Sequence, residues 1–237
     1  MTSAVVVGAS GGIGRALVRR LAERGGADAI FALSRSEAEG PSPSVPGRID
    51  VTDEESVRAA AERVARGGPV GLILVASGQL HGAGLAPEKA LRALDPAAMA
   101  HLFAANTIGP ALVAKHFVPL MPRAGRSVFA ALSARVGSIG DNRLGGWYSY
   151  RASKAALNQI LRTLAVEVRR THPEAIVAGL HPGTVRTALS HPFRPDADAP
   201  GTFTPDEAAG HLLTVLDGLT PAESGGVFAW DGRPVPP

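Results

Sequence analysis

The sequence predicts a doubly wound parallel β-sheet with helices on both faces, and three observations carry that prediction. Short runs rich in Val, Ile and Ala alternate with longer Ala/Leu/Arg stretches of helical periodicity along the whole chain. The run VGLILVAS (70–77) is apolar at nearly every position, as expected of a strand covered on both faces. The first apolar run, SAVVVGAS (3–10), leads straight into a glycine-rich segment and then a helical pattern.

In chain order, the first strand over 3–10 is followed by a helix over 12–24, with Ile13, Leu17 and Leu21 at helical spacing. DAIFALS (28–34) is a second strand, and SEAEGPSPSVPG (36–47) an exposed Pro/Ser/Gly loop. GRIDVTD (47–53) carries a short third strand, followed by a helix from about Asp53 to Arg66. After the strand over 70–77, Asp95 can cap a helix with Pro96 at its first position, running to about Leu120. RSVFAALS (126–133) is a fifth strand, the helix holding YSYRASK runs from about Trp147 to Thr171, and EAIVAGLHPG (174–183) is a sixth strand. Residues 190–205 read as an irregular loop, 205–217 as a helix and GGVFAWDG (225–232) as a last strand. No linker, repeat or composition break divides the 237 residues, so a single domain over 1–237 is expected.

Composition narrows the functional classes. A hydrophobic content of 45% is ample for a core, and no apolar stretch approaches the ~18 residues needed to cross a bilayer. The N-terminus has no basic region and too short an apolar run for a signal peptide, so a cytoplasmic protein with no membrane partner is expected. Absence of cysteine excludes disulfides, thiol nucleophiles and thiolate metal sites. The pI of 9.8 reflects bases that are nearly all arginine, since the net charge is only +3. The bases are scattered and not interleaved with aromatics, so no nucleic-acid partner is expected. No two histidines are spaced i,i+3 or i,i+4, and no metal site is expected. No G-x-S-x-G elbow of a serine hydrolase occurs, Gly137-Ser138-Ile139-Gly140 being one residue short.

Three stretches point to chemistry. On a helix, Tyr150 and Lys154 share a face about 5–6 Å apart, whereas Tyr148 lies six residues before the lysine and points elsewhere. An ammonium beside a phenol favours the phenolate, which makes Tyr150 a candidate acid–base near neutral pH. Gly8, Ser10, Gly12, Ile13 and Gly14 form a G-x-x-x-G-x-G turn at the first strand–helix junction, where a side-chain-free loop and a helix N-terminus suit a pyrophosphate. At the end of the second strand, Ser34-Arg35-Ser36 stands where an acid would hold the ribose hydroxyls of NAD. The Arg35 guanidinium suits a 2′-phosphate, so NADP(H) is favoured and NAD(H) is possible.

The glycine loop, Tyr150-x-x-x-Lys154 and His181-Pro-Gly-Thr-Val-Arg-Thr187 occur in this order and together resemble the short-chain dehydrogenase/reductase family over essentially the whole chain. The run SARVGSIGDNRLGGWYSYRASKAALN is similar to the C-factor-like branch of that family. The resemblance implies a Rossmann-type sheet and an oxidoreductase that transfers a hydride between nicotinamide and a carbonyl or secondary alcohol. Tyr150 would be its acid–base, Lys154 would hold the nicotinamide ribose and depress the tyrosine, and Asn106 would hold a proton-relaying water. Asp50 would bind adenine with Val51 giving backbone contacts, Ala76 and Gly78 would approach the ribose, and Pro182, Gly183, Thr184, Val185 and Thr187 would hold the carboxamide and pyrophosphate.

Three departures from the family pattern stand out. Val7 replaces a threonine before the first glycine, and Val75-Ala76-Ser77-Gly78 stands where Asn-Asn-Ala-Gly is common. The usual position of the catalytic serine is Ala134, so Ser133 is favoured for that role, with Ser138 in reserve. Leu189, Phe193 and Phe203, within residues 188–204, could line a substrate pocket. Helices over 96–120 and 147–171 carry surplus apolar positions, and equivalent helices pair in relatives, implying a homodimer or homotetramer. A cofactor-binding sensor or signalling protein without turnover is the rival reading.

Overall fold

The computed structural model describes residues 2–36, 40–82, 84–193 and 201–237. Seven parallel strands form the main sheet: β1 (Thr2–Val7), β2 (Ala27–Ser34), β3 (Ser44–Arg48), β4 (Val70–Val75), β5 (Ser127–Leu132), β6 (Ala175–His181) and a last strand, β9 (Val227–Ala229). Between the last two lie β7 (Thr184–Val185) and β8 (Thr202–Phe203), which pair with each other. The sheet order is β3-β2-β1-β4-β5-β6-β9, so the direction of winding reverses between β1 and β4. That reversal opens a crevice at the carboxyl ends of β1 and β4, where open α/β sheets take ligands.

Alternation along the strands fills both faces. Val5, Val7, Ile73 and Phe129 pack under α2 (Glu54–Ala65), α4 (Gly109–Phe117) and α5 (Tyr148–Val168), against Val57, Phe117, Leu157 and Leu161. Ala4, Val6, Leu74 and Ile176 face the other way, against Leu17 and Leu21 of α1 (Gly12–Arg24) and Leu212 and Leu216 of α6 (Pro205–Gly218).

Two strands differ from the sequence expectation. β3 begins at Ser44, three residues before the predicted start, and ends at Arg48. Pro46 is tolerated because β3 is an edge strand, where a missing amide faces outward; residues 50–53 turn instead of extending. β9 is shorter than 225–232, because Gly225 has φ +89° and the chain turns back after Ala229, with Ala229 N donating to Arg233 O at 2.8 Å.

The predicted helix over 96–120 is divided into α3 (Pro96–Phe103), a π segment over Ala104–Ile108, and α4. Asp95 caps it as expected, accepting from Ala98 N at 2.8 Å. Contrary to the composition reading, Pro96–Leu120 is long and apolar enough to span a bilayer by length and composition. Here it is a core helix, with Val113 and Phe117 fully buried beneath the sheet.

Candidate active site

The glycine loop leaves no room for a Cβ at Gly8 or Gly14. Gly8 has φ +89°, and a Cβ there would lie 2.7 Å from Ser77 N; a Cβ on Gly14 would lie 2.1 Å from Gly8 O. The loop is pinned to β2 by Gly8 N and Ala9 N, both donating to Leu33 O. α1 begins on Gly11 without a side-chain cap. Ile13 packs on the core below, and Ser10 is exposed, its carbonyl accepting from Arg15 Nη2 at 3.4 Å. Beside the loop lies an open cavity of about 410 Å³ bordered by Ala9, Arg15, Arg19, Ala32 and Gly40.

At the end of β2, Arg35 is exposed, while Ser34 is buried and its hydroxyl donates to Ser36 O. Asp50 Oδ1 accepts from Thr52 N at 3.0 Å and Thr52 Oγ1 at 2.7 Å. Those bonds, helped by Arg35 and Arg48, hold its carboxyl below the usual range against the opposing effect of burial. Val51 packs on the core and against Gly109, where a Cβ would lie 2.9 Å from its side chain. Helix capping falls to Asp53, which accepts from Glu55 N.

Tyr150 and Lys154 come together on the first two turns of α5. Tyr150 is 8% and Lys154 3% exposed, and Lys154 Nζ lies 5.9 Å from the centre of the Tyr150 ring. Lys154 Nζ donates to Leu132 O at 2.7 Å, while Tyr150 Oη makes no hydrogen bond to the described residues. The expected mutual charge effect is reversed in the protein itself. Burial pushes the Tyr150 phenol up to about 12 and the Lys154 ammonium down to about 8. Desolvation opposes the charged form of each, and it is the cause of both shifts. Tyr148, by contrast, stands 38% exposed at the first helical position.

Asn106 is fully buried in the π segment. Its amide grips the main chain of one residue in the loop after β4, accepting from Gln79 N at 2.8 Å and donating to Gln79 O at 2.8 Å. It also donates to Ser153 Oγ at 3.2 Å, and Thr107 Oγ1 donates to Ser153 O. The π segment therefore locks the loop after β4 to α5, and such segments are frequent at functional sites. Gly78 lies between the parts: a Cβ there would be 3.5 Å from Asn106 Oδ1 and 3.6 Å from Lys154 Nζ. Ala76 N donates to Val7 O, which continues the sheet into the site.

Ser133 is buried and its hydroxyl donates to Asn158 Oδ1 at 2.6 Å. Ser138 is buried as well, accepting from Asp141 N at 3.1 Å. Tyr150 clusters with Leu80 and Leu102, and Ala134 packs against that cluster together with Leu85, Val136, Trp147 and Phe193. The walls around the phenol are thus apolar and aromatic.

After β6, Pro182 leads into Gly183 at φ +76°, a turn backed by Phe203 and Trp230. Thr184 and Val185 form β7, and the Thr187 methyl lies over Gly12, 2.9 Å from where a Cβ would be. Phe203 meets His211 and Trp230 edge to face and lies against the Gly183 turn. Leu189 is partly exposed, Phe193 joins the Tyr150 cluster, and residues 194–200 of the expected substrate segment lie outside the described residues. His181, at the end of β6, is pulled down to about 4, chiefly by burial with help from Arg135, and is neutral at neutral pH.

Sequence reading missed Gln79, Ser153, Asn158 and Glu88. Ser153 and Asn158 lie on α5 with no spacing that marks them, and only the fold brings Gln79 to Asn106 and Glu88 to the start of α5.

Comparison with known proteins gives a consistent picture. A family model described as short chain dehydrogenase matches residues 2–198. The chain is 34% identical over 98% of both chains to a 1-hydroxy-2-glutathionyl-2-methyl-3-butene dehydrogenase of Rhodococcus sp.. It is 39% identical to C-signal of Myxococcus xanthus over 62% of this chain and 83% of that one. Its fold is similar to the crystal structure of an NADPH-bound carbonyl reductase from chicken fatty liver, with a TM-score of 0.86, 26% identity and coverage of 100% and 94% of the two chains.

Proposed function

The chain belongs to the short-chain dehydrogenase/reductase family, and from that premise we propose that it is an NADP(H)-dependent oxidoreductase interconverting a carbonyl and a secondary alcohol, with Tyr150 as acid–base. The observation that carries this reading is the buried Tyr150–Lys154 pair at the carboxyl ends of the strands, together with a glycine loop that has no room for a Cβ at Gly8 or Gly14. That loop fits a dinucleotide. Gly8, Gly12 and Gly14 would take its pyrophosphate at the uncapped start of α1, Arg35 the 2′-phosphate and Asp50 the adenine.

When bound, such a cofactor supplies or accepts the hydride at the substrate carbon. The chain's own part is the proton at oxygen. With its affinity raised to about 12, Tyr150 is a neutral phenol at pH 7, the form that donates to a carbonyl during reduction. Lys154 sits where its ammonium would stabilise the phenolate left behind. Asn106 holds the Gln79 main chain and thereby the floor of the site. Ser133 is our assignment for orienting the carbonyl, which requires its hydroxyl to turn from Asn158 to the substrate. The cluster around Tyr150 favours an apolar or aromatic carbonyl compound.

Fluorescence titration with NADPH and NADH tests the first half. Micromolar binding with NADPH ahead is expected, followed by NADPH-dependent reduction of aromatic aldehydes that Tyr150→Phe abolishes. The similarity to C-signal supports a second reading, a cofactor-binding signalling protein with little turnover. That protein would bind NADPH but be indifferent to Tyr150→Phe.

A further inference from the structure

Three helices start on polar side chains of their own segment: α2 on Asp53, α3 on Asp95 and α6 on Thr204. The two helices bordering the groove do not. α1 starts on Gly11. α5 starts on Trp147, whose indole accepts no hydrogen bond. Trp147 is also the one non-glycine residue with positive φ among the described residues, at +52°, directly after Gly145 and Gly146 with φ of +62° and +65°. Such a backbone is strained and persists only when its surroundings enforce it.

The enforcing group is Glu88, 61 residues before Ser149, in the loop between β4 and α3. Its main-chain carbonyl accepts from Trp147 N at 2.5 Å. Its carboxylate accepts from Ser149 N at 3.3 Å and from Ser149 Oγ. Glu88 is 5% and Ser149 0% exposed, and no salt bridge joins Glu88 to a cation among the described residues. A buried carboxylate without a cation is costly, and charge-assisted bonds at a helix N-terminus are what offset it. Tyr150 follows directly, with Trp147 stacked edge-on to its ring at 6.2 Å. The loop that carries Glu88 also supplies Leu80 and Leu85 to the cluster around the phenol.

We propose that Glu88 is a positioning residue: it caps α5 from a distant loop, and so fixes the Tyr150 hydroxyl against the apolar wall where a carbonyl substrate would lie. The proposal rests on the acid–base reading of Tyr150 given above. A displacement of about 1 Å at such a group can cost on the order of a hundredfold in rate, so the effect falls on turnover and not on cofactor affinity.

The test compares Glu88→Ala, Glu88→Gln, Ser149→Ala and Tyr150→Phe in the full chain. Affinity for NADPH is measured by fluorescence. Turnover is measured as NADPH oxidation with whichever of 4-nitrobenzaldehyde, acetophenone and phenanthrenequinone the unmodified protein reduces fastest. Glu88→Ala is expected to lower kcat about tenfold or more, with KM and the NADPH Kd within about threefold. Glu88→Gln, which keeps an acceptor for Ser149 N, is expected to recover most of kcat. Ser149→Ala should lose about threefold in kcat, and it carries the test if Glu88→Ala does not fold. The proposal is overturned if kcat is unchanged in Glu88→Ala and Ser149→Ala, or if the glutamine variant is as slow as the alanine one. Retained turnover in Tyr150→Phe, or no turnover of any probe by the unmodified protein, removes the acid–base reading instead, and this proposal with it.

Discussion

Lys154 is a charged side chain held almost wholly out of water, and its proton affinity falls from 10.5 to about 8. Between those two values the unfolded chain holds a proton that the folded chain has released, so this group's contribution to stability rises with pH across the window. Below about 8 the full cost of burying the ammonium is present. Lys154→Met should therefore be more stable than the unmodified protein at pH 7, by on the order of 2 kcal/mol. Loss of the bond to Leu132 O offsets part of that gain. Urea denaturation at pH 7 and pH 10 checks it: the advantage should shrink at the higher pH, and an advantage equal at both would exclude the buried charge as its source. The serines make a separate case. Ser133 was legible as a candidate because it ends β5, but its tie to Asn158 was not, since the partner is 25 residues away. Ser133→Ala should lower kcat about tenfold as well as cost about 1 kcal/mol, whereas Ser138→Ala should cost stability alone. Equal turnover in both variants would remove Ser133 from the chemistry.

The strand–helix junctions carry most of what was readable in the sequence, because a turn without side chains leaves glycine as its mark. Gly8 and Gly14 are read that way, and the structure gives the reason in the atoms that a Cβ would meet. The break in the helix at Asn106 was harder to read. A buried amide in an apolar helix suggests a bend, but the π segment depends on Gln79 and Ser153, which only the fold brings near. β3 was misplaced because Pro46 and Gly47 read as loop, and edge position alone makes them tolerable as strand. Phe203 reads as a pocket side chain on hydrophobicity, and the pairing of β8 with β7 brings it against Gly183, His211 and Trp230, contacts that no spacing in the sequence marks. The end of β2 supports a prediction of its own. Arg35 is exposed just after β2 and close enough to lower Asp50 electrostatically. Arg35→Asp should weaken NADPH at least tenfold by placing a carboxylate against the 2′-phosphate, and strengthen NADH by offering an acceptor to the ribose hydroxyls. Parallel fluorescence titrations decide it, and an unchanged NADPH-to-NADH ratio would show that Arg35 does not read the phosphate.

Across the whole molecule the groove is assembled from one chain: glycine loop, π segment, α5 and the turn after β6 all meet at the carboxyl edge of a single sheet. Among the described residues, all of these parts come from the same chain. Yet the helical layer over α4 and α5 leaves large apolar side chains outside, Ile108 just before α4 at 51% and Val166 in α5 at 53% exposed. Their neighbours Val113, Leu157 and Leu161 already fill the contact with the sheet, so the outer pair adds nothing to the core. A two-fold axis beside these helices would cover them in both copies at once, since an isologous interface uses the same patch twice. We therefore expect a homodimer, or a homotetramer if a second patch pairs as well. Sedimentation at micromolar concentration should show it, and Ile108→Glu with Val166→Glu should shift the protein toward monomer. Because the groove belongs to one chain, the separated variant should keep its NADPH affinity. A monomeric unmodified protein would leave these side chains as ordinary exposed surface, and a monomeric variant that lost NADPH would mean that the interface helps to hold the site.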